Sequence, residues 1–168
     1  MQMCSNDLEI TMADSKTYFL QPGFIIASQE LHLIHIILGS CVAVCLWDSK
    51  QRLGGACHYI YPRYSGQKPN GKFGDVAISQ LIRLMLDLGS DINHLKAHIV
   101  GGGNRLDSSS CLGTDNAKIA ETILEQHRIK VVTTAIGGSL GRKVIYNSMS
   151  GKILVYQTDG VRQNDWYE

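Results

Sequence analysis

His35-Ile36-Ile37-Leu38-Gly39-Ser40-Cys41-Val42-Ala43-Val44-Cys45-Leu46-Trp47-Asp48, a polar turn at Ser49-Lys50-Gln51, then Leu53-Gly54-Gly55-Ala56-Cys57-His58-Tyr59-Ile60-Tyr61 is the stretch on which the fold turns. Cys41 to Trp47 is apolar throughout, which marks a strand covered on both faces, and the turn returns the chain as a second strand from Leu53 to Tyr61. Two central antiparallel strands follow. Side chains alternate with period two, so Ala56, His58 and Ile60 share one face and Cys57, Tyr59 and Tyr61 the other.

Working outward, Phe24 to Ala27 reads as a strand after the Pro22-Gly23 turn, and His32 to Leu38 as a strand that stops at a Gly39-Ser40 corner. Pro62 to Lys72 is a loop rich in Gly, Pro, Ser and Asn, placed to shape the rim of anything built at the strand ends. From Asp75 the period changes: Ala77, Leu81, Leu84 and Leu88 recur at helical spacing, with Asp75 as N-cap and Gly89 as stop. A strand at Leu95 to Val100 runs into Gly101-Gly102-Gly103-Asn104, and a second helix starts at Gly113-Thr114-Asp115-Asn116 and ends near His127. Lys130 to Ile136, Lys143 to Ser148 and Lys152 to Thr158 are strands, the last two joined by a hairpin turn at Met149-Ser150-Gly151. The domain organisation expected is a flexible N-terminal tail at 1–15, one domain at 16–158 and a polar C-terminal tail at 159–168.

The chain of 168 residues, 44% hydrophobic and 18% charged, fits a single soluble domain. Sixteen Lys and Arg against fifteen Asp and Glu, without a run of like charges, give no electrostatic support for a nucleic-acid partner or an anionic membrane. The N-terminus lacks the basic and apolar regions of a secretory signal, and no apolar run approaches the ~20 residues that span a bilayer, so no membrane insertion and a cytoplasmic location are expected. The five cysteines, Cys4, Cys41, Cys45, Cys57 and Cys111, match neither a zinc ribbon nor a disulfide framework and read as reduced thiols.

Cys41 and His58 are the two side chains that thiol-based acyl transfer needs. The small residues Gly39 and Ser40 let the backbone turn sharply, which leaves the amides of Ser40 and Cys41 available to an oxyanion. The alternative for Cys41 is a small buried hydrophobe, and for His58 a hydrogen-bonded core histidine. Cys45 is mid-strand, Cys57 points away from His58, Cys111 sits in a loop and Cys4 in the tail. A metal is disfavoured: His32 and His35 fall on opposite faces of a strand, and His94 and His98, if in a strand, are about 13 Å apart. No cofactor is implied, since the triple glycine lacks both the P-loop ending and the dinucleotide-binding register.

Seven segments in order resemble the CheD family of chemoreceptor glutamine deamidases: Leu20-Gln21-Pro22-Gly23, Leu38-Gly39-Ser40-Cys41-Val42-Ala43-Val44, Gly54-Gly55-Ala56-Cys57-His58, Asp75-Val76-Ala77-Ile78, Gly101-Gly102-Gly103-Asn104, Leu112-Gly113-Thr114-Asp115-Asn116 and Ile136-Gly137-Gly138-Ser139-Leu140-Gly141-Arg142. The resemblance implies an α+β fold similar to the catalytic domain of cytotoxic necrotizing factor toxins, with two packed mixed sheets flanked by helices in α/β/β/α layers. It implies a protein-glutamine glutaminase of bacterial or archaeal chemotaxis that hydrolyses receptor glutamine side chains to glutamate through a thioester, releasing ammonia, with methyl-ester hydrolysis as a secondary activity. Methyl-accepting chemotaxis receptors are the implied substrates and the CheC phosphatase an implied partner; a non-catalytic CheC-binding module is the alternative. Carried onto this chain, the nucleophile is Cys41 and the base His58. The third family position, a threonine whose hydroxyl orients the base, is here His35. If the His35 imidazole accepts a hydrogen bond from His58, activity is expected to fall below about pH 6.5, the reference value for histidine. A neighbouring imidazolium is expected to lower the Cys41 thiol pKa.

Overall fold

Two adjacent strands that are apolar on both faces have to be covered twice, and that requirement sets the layering. The computed structural model describes residues 15–66, 68–104, 106 and 109–159, so the tails expected at 1–15 and 159–168 lie almost wholly outside the described residues. In chain order the elements are β1 (Lys16–Phe19), β2 (Ile25–Ser28), β3 (His32–Leu38), β4 (Val42–Asp48), β5 (Leu53–Tyr59), helix α1 (Gly74–Asp87), a 3₁₀ turn (Ile92–His94), β6 (Leu95–Gly101), helix α2 (Leu112–Gln126), β7 (Lys130–Ile136), β8 (Gly141–Asn147) and β9 (Ile153–Thr158). They form a five-stranded sheet in the order β2-β5-β4-β6-β7 and a four-stranded sheet in the order β1-β3-β8-β9. Both sheets are mixed, because β6 runs parallel to β7 and β1 parallel to β3 while the other pairs are antiparallel.

Every residue of β5 is buried, as is every residue of β4 but Trp47. Val42, Val44, Leu46, Cys57 and Tyr59 pack beneath the helices against Ala77, Leu81, Met85, Ile119 and Ile123. The opposite face presents Ala43, Cys45 and Ala56, which meet Ile34, Ile36, Leu38, Val144 and Tyr146 of the four-stranded sheet. Small residues in the one layer face large ones in the other, and the sheets come close enough that a Cβ on Gly54 would lie 2.2 Å from the Ser148 carbonyl oxygen.

The expected α+β class with two packed mixed sheets is what the chain adopts, with one correction to the layering. Helix α1 lies over β2, β4 and β5, and α2 over β4, β6 and β7, so the described residues stack as α/β/β. No described helix covers the outer face of the four-stranded sheet. β8 alternates buried with more exposed positions and β9 partly buried with exposed ones, as a sheet covered on one side does, and Leu154 and Tyr156 stay about half exposed. The α1 stripe is also rotated from the expected one: Ala77, Ile78, Leu81, Ile82 and Met85 are buried and Leu84 faces outward. Phe73, not Asp75, is the N-cap, and the Asp75 carboxylate instead accepts the Tyr64 and Val76 amides.

β1 is an element the hydrophobic pattern did not announce. It is four residues long, and its two outer positions are polar. Its strand character comes from parallel pairing with β3, in which Phe19 lies opposite His35.

Gly101 at the end of β6 has φ +117°, and a Cβ there would sit 2.2 Å from the Cys41 carbonyl oxygen. Gly101→Ala is therefore expected to cost about 2 kcal/mol or more, a fall in Tm of roughly 4–8 °C. Gly39→Ala is the control, since a Cβ at Gly39 meets nothing within 4 Å, and it should melt close to the parent. Thermal unfolding of the two variants checks the pair.

Candidate active site

The chain leaves the four-stranded sheet at Leu38 and enters the five-stranded one at Val42, so Gly39, Ser40 and Cys41 form the crossing. All three carbonyls there are held. Gly103 N donates to Gly39 O at 2.9 Å and Gly102 N to Cys41 O at 2.8 Å. Between them, Asn116 Nδ2 donates to Ser40 O at 3.0 Å. In a trans peptide the carbonyl and the following N–H point in opposite directions, so the Ser40 and Cys41 amides are turned away from these partners.

The pairing of β4 with β5 sets Ala43 opposite His58 and Val42 opposite Tyr59. Continued by one residue, this register puts Cys41 opposite Ile60. Cys41 and His58 are thus diagonal neighbours on one face, at a separation of about 7 Å between their backbones that side chains can close. That face is the one between the sheets, where Cys41 packs against the cluster of Ala43 and Ala56. Cys41 is half-buried and His58 fully buried, so access comes from the side of the thiol.

His58 Nδ1 donates to the Leu20 carbonyl at 3.0 Å. With Nδ1 as donor, the neutral ring carries its lone pair on Nε2. Burial pushes the His58 pKa down to about 4, opposed by the bond to Leu20. Burial likewise pushes the Cys41 thiol up, opposed by its own backbone amide. The resting pair is therefore a thiol and a neutral imidazole. This corrects the expectation of an imidazolium that lowers the thiol pKa: at neutral pH the buried ring carries no charge.

His35 is not joined to His58 by its side chain. Its neighbours Ile34 and Ile36 point into the space between the sheets, so the His35 ring lies on the outer face, tilted against Phe19 at 5.1 Å between centroids. What reaches the site is its backbone. The His35 carbonyl accepts the Leu20 amide at 2.9 Å, and the Leu20 carbonyl in turn orients His58. The expected imidazole-to-imidazole hydrogen bond is replaced by two backbone carbonyls in series.

Leu20 and Asn116 are the site residues that sequence reasoning missed. Both lie in segments quoted for the family resemblance, but a backbone acceptor has no side-chain signature, and an Asn near a helix start looks like a cap. Arg142 is a third such residue: its buried guanidinium donates to Gly137 O at 2.7 Å and Gly101 O at 3.3 Å, which ties the β7–β8 loop to the end of β6. Asn104 binds the start of α2, accepting from Gly113 N at 3.0 Å and donating to Thr114 Oγ1 at 2.9 Å. At the same end of the sheet, the loop after β5 carries Tyr61 and Tyr64, both exposed, with their rings against Phe73 at 5.9 and 5.5 Å.

The remaining cysteines and histidines are placed elsewhere. Cys45 and Cys57 are fully buried, and burial raises both thiols, Cys57 to about 12. Cys111 is exposed at the start of α2, and Cys4 lies outside the described residues. His98 is held through Nε2 by the Gly151 carbonyl at 2.7 Å. Among the described residues no three His, Cys, Asp or Glu side chains converge as a metal cage.

Fold and site together define a class: an α+β domain with a cysteine and histidine on one face where the chain crosses between two stacked sheets. Comparison with known proteins narrows it. The family model described as CheD chemotactic sensory transduction matches residues 62–157. A Trichlorobacter lovleyi protein named probable chemoreceptor glutamine deamidase CheD is 40% identical over 89% of this chain and 94% of its own length. Similarly named proteins of Sulfurimonas denitrificans and Dechloromonas aromatica are 37% and 36% identical, over 73% and 86% of this chain and 82% and 78% of their own. The chain belongs to the CheD family. A solved Neisseria meningitidis structure of family DUF152 aligns over 79% of this chain and 68% of that one at 10% identity, with a TM-score of 0.48, too low to support a common fold.

Native alkylation with iodoacetamide at neutral pH should modify Cys111 at the rate of an ordinary exposed thiol and Cys41 more slowly, with Cys41 accelerating as pH rises. Cys45 and Cys57 should stay protected until the protein unfolds. Peptide mass spectrometry against time reads all four, and early labelling of Cys45 or Cys57 would contradict the arrangement.

Proposed function

We propose that this protein is a chemoreceptor glutamine deamidase, with Cys41 as nucleophile, His58 as general base and acid, and the backbone amides of Ser40 and Cys41 as oxyanion donors. The observation that carries the reading is the register that sets Cys41 and His58 diagonally on one face, with the imidazole oriented by Leu20. The names of the relatives supply the substrate. His58 Nε2 takes the Cys41 proton as the thiolate attacks the glutamine side-chain carbonyl carbon. The C–N bond of the tetrahedral adduct breaks, and His58 returns the proton to the departing ammonia. Water, deprotonated by the same nitrogen, then attacks the thioester, releases glutamate and restores the thiol.

A thiol and neutral imidazole at rest suit this order of events, since the proton moves only when an acyl carbon is present to receive the sulfur. The receptor gains one negative charge per glutamine hydrolysed, a local change that can bias a signalling equilibrium. The exposed Tyr61 and Tyr64, in the loop that follows β5, offer the incoming receptor segment an apolar contact. No helix among the described residues is long and apolar enough to cross a membrane. The protein acts in the cytoplasm on the cytoplasmic part of its receptors, and CheC is a candidate second partner.

Ammonia release from a receptor cytoplasmic fragment is the test. Cys41→Ala should abolish it and His58→Gln should lower it by a factor of ~100 or more. Undiminished release from Cys41→Ala would overturn the assignment, and a wild-type protein that binds receptor or CheC without releasing ammonia would mark it as a binding module.

The pH profile tests the orientation of the base. His58 works as a base only when neutral, and with its pKa near 4 the acid limb of kcat/KM should lie well below pH 6.5. His35→Ala and His35→Thr should keep that limb and stay within about threefold of the parent rate, because position 35 contributes a carbonyl that every residue has. A limb that moves with the residue at 35 would restore a side-chain role.

A further inference from the structure

Asn116 is the fifth residue of α2, fully buried, and its carboxamide reaches across the strand ends that carry the site. Its two Nδ2 hydrogens serve two carbonyls, Ser40 O at 3.0 Å before β4 and Ile60 O at 2.8 Å after β5. Its own backbone carbonyl accepts the Tyr59 hydroxyl at 2.5 Å. One side chain thus ties the entry of the nucleophile strand to the exit of the base strand, two points 20 residues apart in the chain.

The pairing is lopsided. Asn116 Oδ1 is buried and receives no donor among the described residues. A buried acceptor without a partner is costly, and a site that needed only to fill space would be better served by an apolar residue. The group that justifies the cost is the donor end.

What that donor controls is one peptide plane. Gly103 fixes the plane that contains the Gly39 carbonyl, and Gly102 the plane that contains the Cys41 carbonyl. The plane between them joins the Ser40 carbonyl to the Cys41 amide, and the described partner of that carbonyl is Asn116. Pulling Ser40 O toward the helix layer turns the Cys41 N–H to the opposite side, the face between the sheets that Cys41 and His58 share.

We infer that Asn116 is a positioning residue for the oxyanion hole, aiming the Cys41 amide through the Ser40 carbonyl. The inference rests on the deamidase reading. It differs from a stability role in what it predicts, because an oxyanion donor acts on a tetrahedral adduct and not on the nucleophile itself. Alkylation of Cys41 by iodoacetamide is displacement at a saturated carbon and forms no oxyanion, so it reports the thiol alone.

Asn116→Ala should lower kcat for ammonia release by ~10- to 100-fold, with KM and the Cys41 alkylation rate each within about threefold of wild type. Asn116→Ser, whose hydroxyl can donate to one carbonyl and which is the variant to use if the alanine protein does not fold, should fall between the two. A kcat within twofold of wild type in a folded variant, or a loss of alkylation in step with the loss of kcat, would overturn the inference. Cys41→Ala in the same assay separates the two levels. If it still releases ammonia, the assignment of Cys41 as nucleophile is wrong, whereas if it is dead and the Asn116 variants are normal, only the positioning role is lost.

Discussion

The register of β4 against β5 is the constraint on which the rest depends. Side chains alternate across a sheet, so a slip of one residue would send His58 to the helix side and Tyr59 into the space between the sheets. Ala43 opposite His58 and Cys45 opposite Ala56 leave room there for the large residues of the second sheet, whereas the other face needs Val44, Leu46 and Tyr59 to fill the gap under the helices. The two cores are therefore not interchangeable, and their different demands lock the register. Gly54 reinforces it, since the backbone of Ser148 occupies the space its side chain would take. The same parity that packs the core delivers Cys41 and His58 to one face.

A site built into a core inherits the dielectric of that core. Burial disfavours the charged form of both groups, so imidazole is held neutral and thiol is held protonated. An exposed thiolate-imidazolium pair would be reactive toward any electrophile, and a fully buried pair would reach no substrate. Here the imidazole is sealed and the thiol half open, which in the proposed mechanism protects the proton acceptor and leaves the nucleophile facing the entrance. Backbone groups do most of the orienting. Leu20 holds the ring, and the glycines after β6 hold the crossing. Backbone atoms in packed strands move little, which suits geometry that must be kept without a charge to hold it.

Much of this was legible in the sequence. The unbroken apolar run from Cys41 to Trp47, the turn at Ser49 and the alternation around His58 defined the central hairpin and put His58 on a definite face. The helices announced themselves by period. What pattern could not supply was sidedness. Strands covered on both faces do not say which cover is helix and which is sheet, and the α/β/β/α layering implied by the resemblance divides between the sheets two helices that both lie on one. β1 was too short and too polar to stand out, yet it ends at Phe19, one residue before the Leu20 carbonyl that holds the His58 ring. Asn116 stands in the segment that starts a helix, and nothing local reveals that its amide spans two strand ends.

The substitution at position 35 shows how backbone function frees a side chain. Read by analogy, a histidine in place of a hydroxyl residue looks like a change to the catalytic machinery. In the fold, β3 is an inner strand whose even-numbered residues fill the core, and position 35 faces out toward Phe19. Its carbonyl lies in the plane of the sheet and meets Leu20 N whatever side chain is attached. A ring against Phe19 on a sheet face is a packing choice, made on the opposite side of the sheet from the chemistry. The requirement at this position is for an extended backbone in register with β1, which histidine and threonine both satisfy. It follows that the link from β3 to His58 depends on pairing between strands and would be lost by a residue that breaks the strand, such as proline, far sooner than by one that merely lacks a hydroxyl.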